Sequence, residues 1–186
     1  MFPPALVPVR IAPTAKRRLA HVIGPQQRMD FVRRSFEHVS DVLHAAGCRV
    51  IALTPEPIDV PGEIDLWLDE APGLSRAVAA ASLKLGAPVL VVHADLPWLT
   101  DQDVHALLES KADVVVARAK DGGTTGLLMR KLITPAYGPG SALRHAQIAR
   151  GSGLSALVVD IPGFARDVDD PRALTASSSA FRRPGP

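Results

Sequence analysis

An aspartate that ends a buried strand is a carboxylate held at the edge of a sheet, and Asp95 has that position in the sequence. It follows PVLVVHA, in which Val89 to Val92 and their flanks read as a strand buried on both faces. Open α/β sheets bind their ligands at the carboxyl ends of strands, so Asp95 is placed to hold a metal ion. Four other stretches carry groups that could converge on it. APTAKRRLA sets Lys16, Arg17 and Arg18 after a first strand, with Thr14 as the cap of a short helix; this suits phosphates, and it equally suits a solvated basic helix face. In DGGTTGLLMR, Gly122 and Gly123 permit unusual backbone geometry and close approach to a ligand. YGPGSALRHA leads a glycine-rich turn through Ser141 into a helix, presenting backbone N–H groups and a hydroxyl at a positive helix end, with His145 one turn further on. Last, IPGFARDVDDP ends in three aspartates, a second acidic site or a solvated turn with a cap.

Two separated carboxylates with basic and glycine-rich anion sites are what nucleotidyl transfer requires. Magnesium takes hard oxygen ligands, commonly one or two carboxylates with phosphates and waters. Lysine and arginine offset the charge that develops on departing pyrophosphate. Rival chemistries lack their signatures: there is no GxxxxGK[ST] loop and no GxGxxG loop, and the six histidines have no HExxH spacing. His93, two residues before Asp95 and facing the same side of its strand, reads most simply as a packed, hydrogen-bonded histidine.

These residues need a sheet to position them. Strands are expected at Ala5–Ile11 (interrupted by Pro8), Arg49–Leu53, Ile64–Leu68, the run before Asp95, Ala112–Arg118, Leu127–Arg130 and Ala156–Asp160. Helices are expected at Gln26–Ala46, stopped by Gly47, at Pro72–Leu85, closed by Gly86, at Asp101–Ser110, capped by Thr100, and from Ser141. Strands alternating with helices specify an α/β three-layer sandwich with a mainly parallel sheet. The 186 residues fit a single domain over 1–176, followed by a disordered tail over 177–186. A hydrophobic fraction of 47% with 22% charged residues is that of a soluble globular protein, and a net charge of +2 fits small anionic ligands better than nucleic acid. The lone Cys48 excludes an internal disulfide and reads as a packing residue. No stretch approaches a membrane span and the opening lacks a signal h-region, so a cytoplasmic protein without membrane partners is expected.

VPVRIAPTAKRRLA, ADLPWLT, DGGTTGLLMR, YGPGSALRH and ARDVDDPRAL occur in the order and approximate spacing of the 2-phospholactate guanylyltransferase family, the guanylyltransferases of deazaflavin-coenzyme biosynthesis, which the chain resembles from Val7 to about Leu174. The resemblance implies a nucleotidyltransferase-type, Rossmann-like fold. It also implies transfer of GMP from GTP to the phosphate of a three-carbon phospho-acid (2-phospholactate, phosphoenolpyruvate or 3-phosphoglycerate) with release of pyrophosphate. Carried over by motif, Asp95 and Asp169 are the magnesium ligands, Asp169 being chosen over Asp167. Lys16 and Arg18 contact the GTP phosphates, with Ser75 also on the nucleotide side, and Thr124 or Thr125 with Gly138 and Ser141 hold the acceptor's phosphate, His145 beside them. A homodimer is common among similar proteins. The chain departs from the family at Ser75, where Asn is frequent, at GGTT in place of GGTN, and at Trp98, which is bulkier than the usual aliphatic residue. Other nucleotidyltransferases of this fold, of molybdopterin or sugar-phosphate type, and a non-catalytic nucleotide-binding regulator are the alternatives.

Overall fold

Short aliphatic runs can be buried only by pairing with one another and being covered on both faces. In the computed structural model, which describes residues 2–16, 19–69 and 71–167, they form one sheet. In chain order the elements are β1 (Ala5–Pro8), α1 (Pro25–Ala45), β2 (Val50–Thr54), β3 (Asp65–Leu68), α2 (Leu74–Leu85), β4 (Val89–Val92), α3 (Asp101–Glu109), β5 (Val114–Arg118), β6 (Thr124–Met129), α4 (Ser141–Gly151) and β7 (Ala156–Val159). The strand order is β3-β2-β1-β4-β6-β5-β7. Every pairing is parallel except those of β6, which runs antiparallel between β4 and β5. The expected mainly parallel three-layer sandwich is therefore present.

Alternation along the strands assigns side chains to the two layers. Ala5, Val7, Val50, Ala52, Leu90 and Val92 face α1 and α3, packing with Phe31, Phe36, Leu43, Val104 and Leu107. Leu6, Ile51, Val89 and Val91 face α2 and α4, against Ala77, Val78, Ala142 and Ala149. The alanines of α2 and α4 let those helices lie close to the sheet. Cys48 is buried in the first cluster, and burial pushes its thiol up to about 11.

The departures from expectation have local causes. β1 ends at Pro8 and does not reach Ile11. The amides of Ala5 and Val9 donate to Arg49 O, just before β2, and Leu53 O, within it, so by alternation the nitrogen of Pro8 faces β4. Proline has no N–H to give there, and the recorded β1–β4 pairs stop at Leu6↔Val91. A crevice opens between the two strands, where the chain order reverses across the sheet. The short helix expected after Thr14 is a turn over residues 12–16, and β6 begins at Thr124, three residues before the expected strand. The helix ends follow expectation: Gly47 and Gly86 take positive φ after α1 and α2, and Thr100 and Asp103 exchange hydrogen bonds at the start of α3.

Gly126, in the middle of β6, makes room for Phe164, which is fully buried. A Cβ at Gly126 would stand 2.7 Å from the Phe164 ring and 3.1 Å from Ala117 Cβ. Gly126→Ala is expected to lower unfolding free energy by about 1–3 kcal/mol through overpacking, measured by urea denaturation. An unchanged midpoint would show that the ring yields freely.

Candidate active site

Lys16 and Asp95 meet across the crevice opened at Pro8. Lys16 Nζ donates to Asp95 Oδ2 in a close ion pair, and only 14% and 18% of the two side-chain surfaces remain accessible. Burial raises the Asp95 carboxyl, but the Lys16 ammonium and His93 beside it outweigh that effect and hold it below its ordinary value. An ionised carboxylate and an ammonium are thus kept together at the carboxyl edge of β4.

The turn that delivers Lys16 is unusual. Lys16 has φ of 49°, a left-handed conformation that side chains other than glycine adopt at a cost of about 1–3 kcal/mol. Arg28, on the buried face of α1, holds the turn in place. Its guanidinium donates to Pro13 O at 2.8 Å, Ala15 O at 3.1 Å and Ile23 O at 2.9 Å. Sequence reasoning passed over Arg28, whose one available signal was a cation at the helical spacing of the apolar residues Val32, Phe36 and Val39.

Pro8, Val9 and Lys16 line one side of a cavity of about 500 Å³, with Leu53 from β2, Gly73 and Leu74 at the start of α2, and His93 and Asp95 after β4 on the others. That volume lies in the range of small-molecule and nucleotide sites. Ser75 is not among the lining residues; its Oγ accepts the Tyr137 N–H at 2.9 Å, tying α2 to the glycine-rich loop before α4.

The second group of expected residues gathers on the far side of β4. His93 N–H donates to Thr125 O at 2.9 Å, so the end of β4 is held to the start of β6. Ala136 N–H donates to His145 Nε2 at 2.8 Å, which leaves the proton on Nδ1 to donate to Thr124 Oγ1 at 3.0 Å. Ser141 Oγ donates to the same Thr124 oxygen at 3.0 Å, and Thr125 Oγ1 donates to Phe164 O at 2.6 Å. Thr124, Thr125, Ser141 and His145 are all buried. Both ring nitrogens of His145 and the Thr125 hydroxyl are therefore engaged within the protein, as are the Thr124 and Ser141 hydroxyls. Gly138, with φ of 135°, and Gly140, with φ of 68°, are exposed and shape the turn at the start of α4. Its neighbour Ala142 donates to Gly122 O at 3.2 Å, so the GGTT and GPGS turns pack together.

Arg18 and Asp169 lie outside the described residues; Asp167, the first aspartate of DVDDP, is described and partly buried. The structure thus brings together Lys16 and Asp95 in one group and Thr124, Gly138, Ser141 and His145 in another, with β4 between them.

The guanylyl transferase family described as "CofC like" matches residues 4–176. This chain belongs to that family. It is 31% identical over 169 residues to the 2-phospho-L-lactate guanylyltransferase of Methanocella arvoryzae, covering 89% of this chain and 75% of that one. It is 35% identical over 186 residues to the phosphoenolpyruvate guanylyltransferase of Sphaerobacter thermophilus, covering 91% and 89%. A crystal structure from Desulfovibrio desulfuricans, described as a nucleotide-diphospho-sugar transferase, superposes with a TM-score of 0.71 at 15% identity over 98% of both chains, a likeness of fold. Among the described residues of the CofC-like protein no helix is long and apolar enough to cross a membrane.

Burial, with Arg144 and His93 nearby, lowers His145 from 6.5 to about 4, so it is neutral at pH 7, as acceptance from an amide requires. Because the folded value lies below the unfolded one, the stability it contributes is full above pH 6.5 and is lost as pH falls towards 4. Between pH 7 and 4.5 the wild type is expected to lose about 2–3 kcal/mol relative to His145→Gln, read from urea unfolding of both proteins. Parallel pH profiles would contradict a neutral, buried His145.

Proposed function

We propose that the protein moves GMP from GTP onto the phosphate of a three-carbon phospho-acid, releasing pyrophosphate. The observation that carries this reading is the Lys16–Asp95 pair set into a nucleotide-sized cavity at the point where strand order reverses, in a chain of the guanylyl transferase family. The names of the relatives, 2-phospho-L-lactate and phosphoenolpyruvate guanylyltransferase, favour a phospho-acid acceptor over the molybdopterin, sugar-phosphate or regulatory alternatives.

GTP enters the cavity between β1, α2 and β4. Lys16, whose ammonium borders that cavity, binds its phosphates together with Arg18 and offsets charge on the departing pyrophosphate. The acceptor's phosphate sits against the GGTT and GPGS turns, held by Gly138, the Ser141 end of α4 and the Thr124 side of β6. One of its oxygens attacks the α-phosphorus of GTP. The bond from that phosphorus to the bridging β-phosphate oxygen breaks, and its electron pair leaves with pyrophosphate. The acceptor phosphate is already ionised near neutral pH, so no general base is required.

The donor set at Asp95 fits magnesium, because a low-lying carboxylate is a hard oxygen ligand that leaves most of an octahedron to phosphates and waters. Asp95 would hold the ion with Asp169 as its partner, and the ion would neutralise phosphate charge and align the reacting oxygens.

Purified protein incubated with GTP and, separately, 2-phospholactate, phosphoenolpyruvate and 3-phosphoglycerate is expected to yield a guanylylated product detectable by mass. CTP should serve at least about tenfold less well, and Asp95→Asn should cut kcat/KM by at least about a hundredfold. Absence of pyrophosphate release with every acceptor, or full activity in Asp95→Asn, would contradict the proposal.

A further inference from the structure

The cavity bordered by Lys16 and Asp95 has a second carboxylate among its described lining residues, Asp69, which directly follows β3. Asp95 is committed to Lys16, and Arg10, also on the wall, lies 3.7 Å from Glu56. Asp69 has no cation partner among the described residues. Its backbone N–H donates to Thr54 O at 2.9 Å, and its Oδ1 accepts the Ala71 N–H at 2.9 Å. Oδ2 accepts no hydrogen bond among the described residues. The carboxylate is thus fixed by its neighbours while one oxygen is left to a ligand.

The sheet register relates Asp69 to the reacting end of the cavity. The parallel pairs Leu6↔Val91, Pro8↔Leu53 and Thr54↔Leu68, carried on along the strands, set Asp69 on one row with Pro55, Arg10 and Asp95. All four line the cavity. Because β2 and β1 lie between β3 and β4, Asp69 stands three strand spacings, about 14 Å, from Asp95. The wall also includes the apolar side chains of Val9, Leu53, Leu74 and Ala77, which suit the faces of a planar base. A nucleotide held by its phosphates at Lys16 and Asp95 and extended along the row brings its base to Asp69.

We propose that Asp69 reads the base of the nucleotide, accepting the N1–H and the 2-amino N–H of guanine. This deepens the GMP-transfer reading and rests on its assignment of the cavity to GTP. A carboxylate only accepts hydrogen bonds. Guanine turns two adjacent donors to such a group, whereas adenine and cytosine set an acceptor beside their amino group and uracil sets its single N–H between two carbonyls. The other bases therefore bring a lone pair against the carboxylate, which a site built on acceptors rejects.

The test compares GTP with inosine triphosphate, which lacks the 2-amino group, and xanthosine triphosphate, which has a carbonyl in its place. Full-length protein is assayed for kcat/KM with phosphoenolpyruvate, and nucleotide affinity is measured by calorimetry without acceptor. The wild type is expected to prefer GTP to inosine triphosphate by about ten- to hundredfold in both measurements. In Asp69→Asn the Ala71 N–H holds the amide oxygen and leaves an NH2 donor in the place of Oδ2, so the order should invert: inosine triphosphate at least equal to GTP, and xanthosine triphosphate improved about tenfold over the wild type. Asp69→Ala should use GTP and inosine triphosphate alike, and keeps the test open if Asp69→Asn folds poorly. A wild type indifferent to the 2-amino group, or variants that keep the wild-type preference for GTP, would overturn the role of Asp69 while leaving GMP transfer standing. Selective GTP binding that depends on Asp69, with no transfer to any phospho-acid, would support Asp69 and overturn the transfer reading. If the wild type neither binds nor turns over GTP, both fall.

Discussion

The Lys16–Asp95 ion pair is the constraint on which the site depends. Two charges so largely withdrawn from water are stable only together, so the β1 turn and the β4 exit must be presented to each other at short range. Several otherwise odd features serve that requirement. Pro8 withholds an N–H and lets the strands part, Lys16 accepts a left-handed backbone, and Arg28 ties the turn down through three carbonyls. The strain at Lys16 is local, and the Arg28 hydrogen bonds hold the turn that carries it.

The glycine-rich half of the site is built on a different principle. There His145, Thr124 and Ser141 bond to one another and to the backbone, in the chain Ala136 N–H to His145, His145 to Thr124, and Ser141 to Thr124. The Tyr137 ring lies between His93 and His145, with centroids 5.5 and 5.0 Å away, and its amide reaches Ser75. One residue of the loop therefore touches α2, the end of β4 and α4 at once. This arrangement ties the loop to three elements and leaves its glycine turn exposed.

Much of the fold was legible because its signals are local. Four-residue aliphatic runs, Gly47 and Gly86 after helical periodicity, and the Thr100–Asp103 cap each announce an element without reference to the rest of the chain. Asp95 was legible for the same reason, standing where a buried strand must end. The antiparallel direction of β6 was not, since strand direction is decided by which neighbour completes the sheet. Nor were the internal contacts made by several of the expected site residues. That His145 would spend both nitrogens on Ala136 and Thr124, that Ser75 would meet a backbone amide 62 residues away, and that Arg28 would hold a turn are facts of tertiary packing. Residue type alone does not distinguish a histidine that binds a substrate from one that spends both ring nitrogens inside the protein.

The central claim, that Lys16 and Asp95 stabilise each other as a largely buried pair in the unliganded protein, is tested most directly by urea unfolding of Lys16→Met, Asp95→Asn and the double variant. Lys16→Met alone, which strands a buried carboxylate, should lose about 2–4 kcal/mol, and adding Asp95→Asn should restore most of that loss. A Lys16→Met protein as stable as the wild type, or a double variant no more stable than Lys16→Met, would contradict the account.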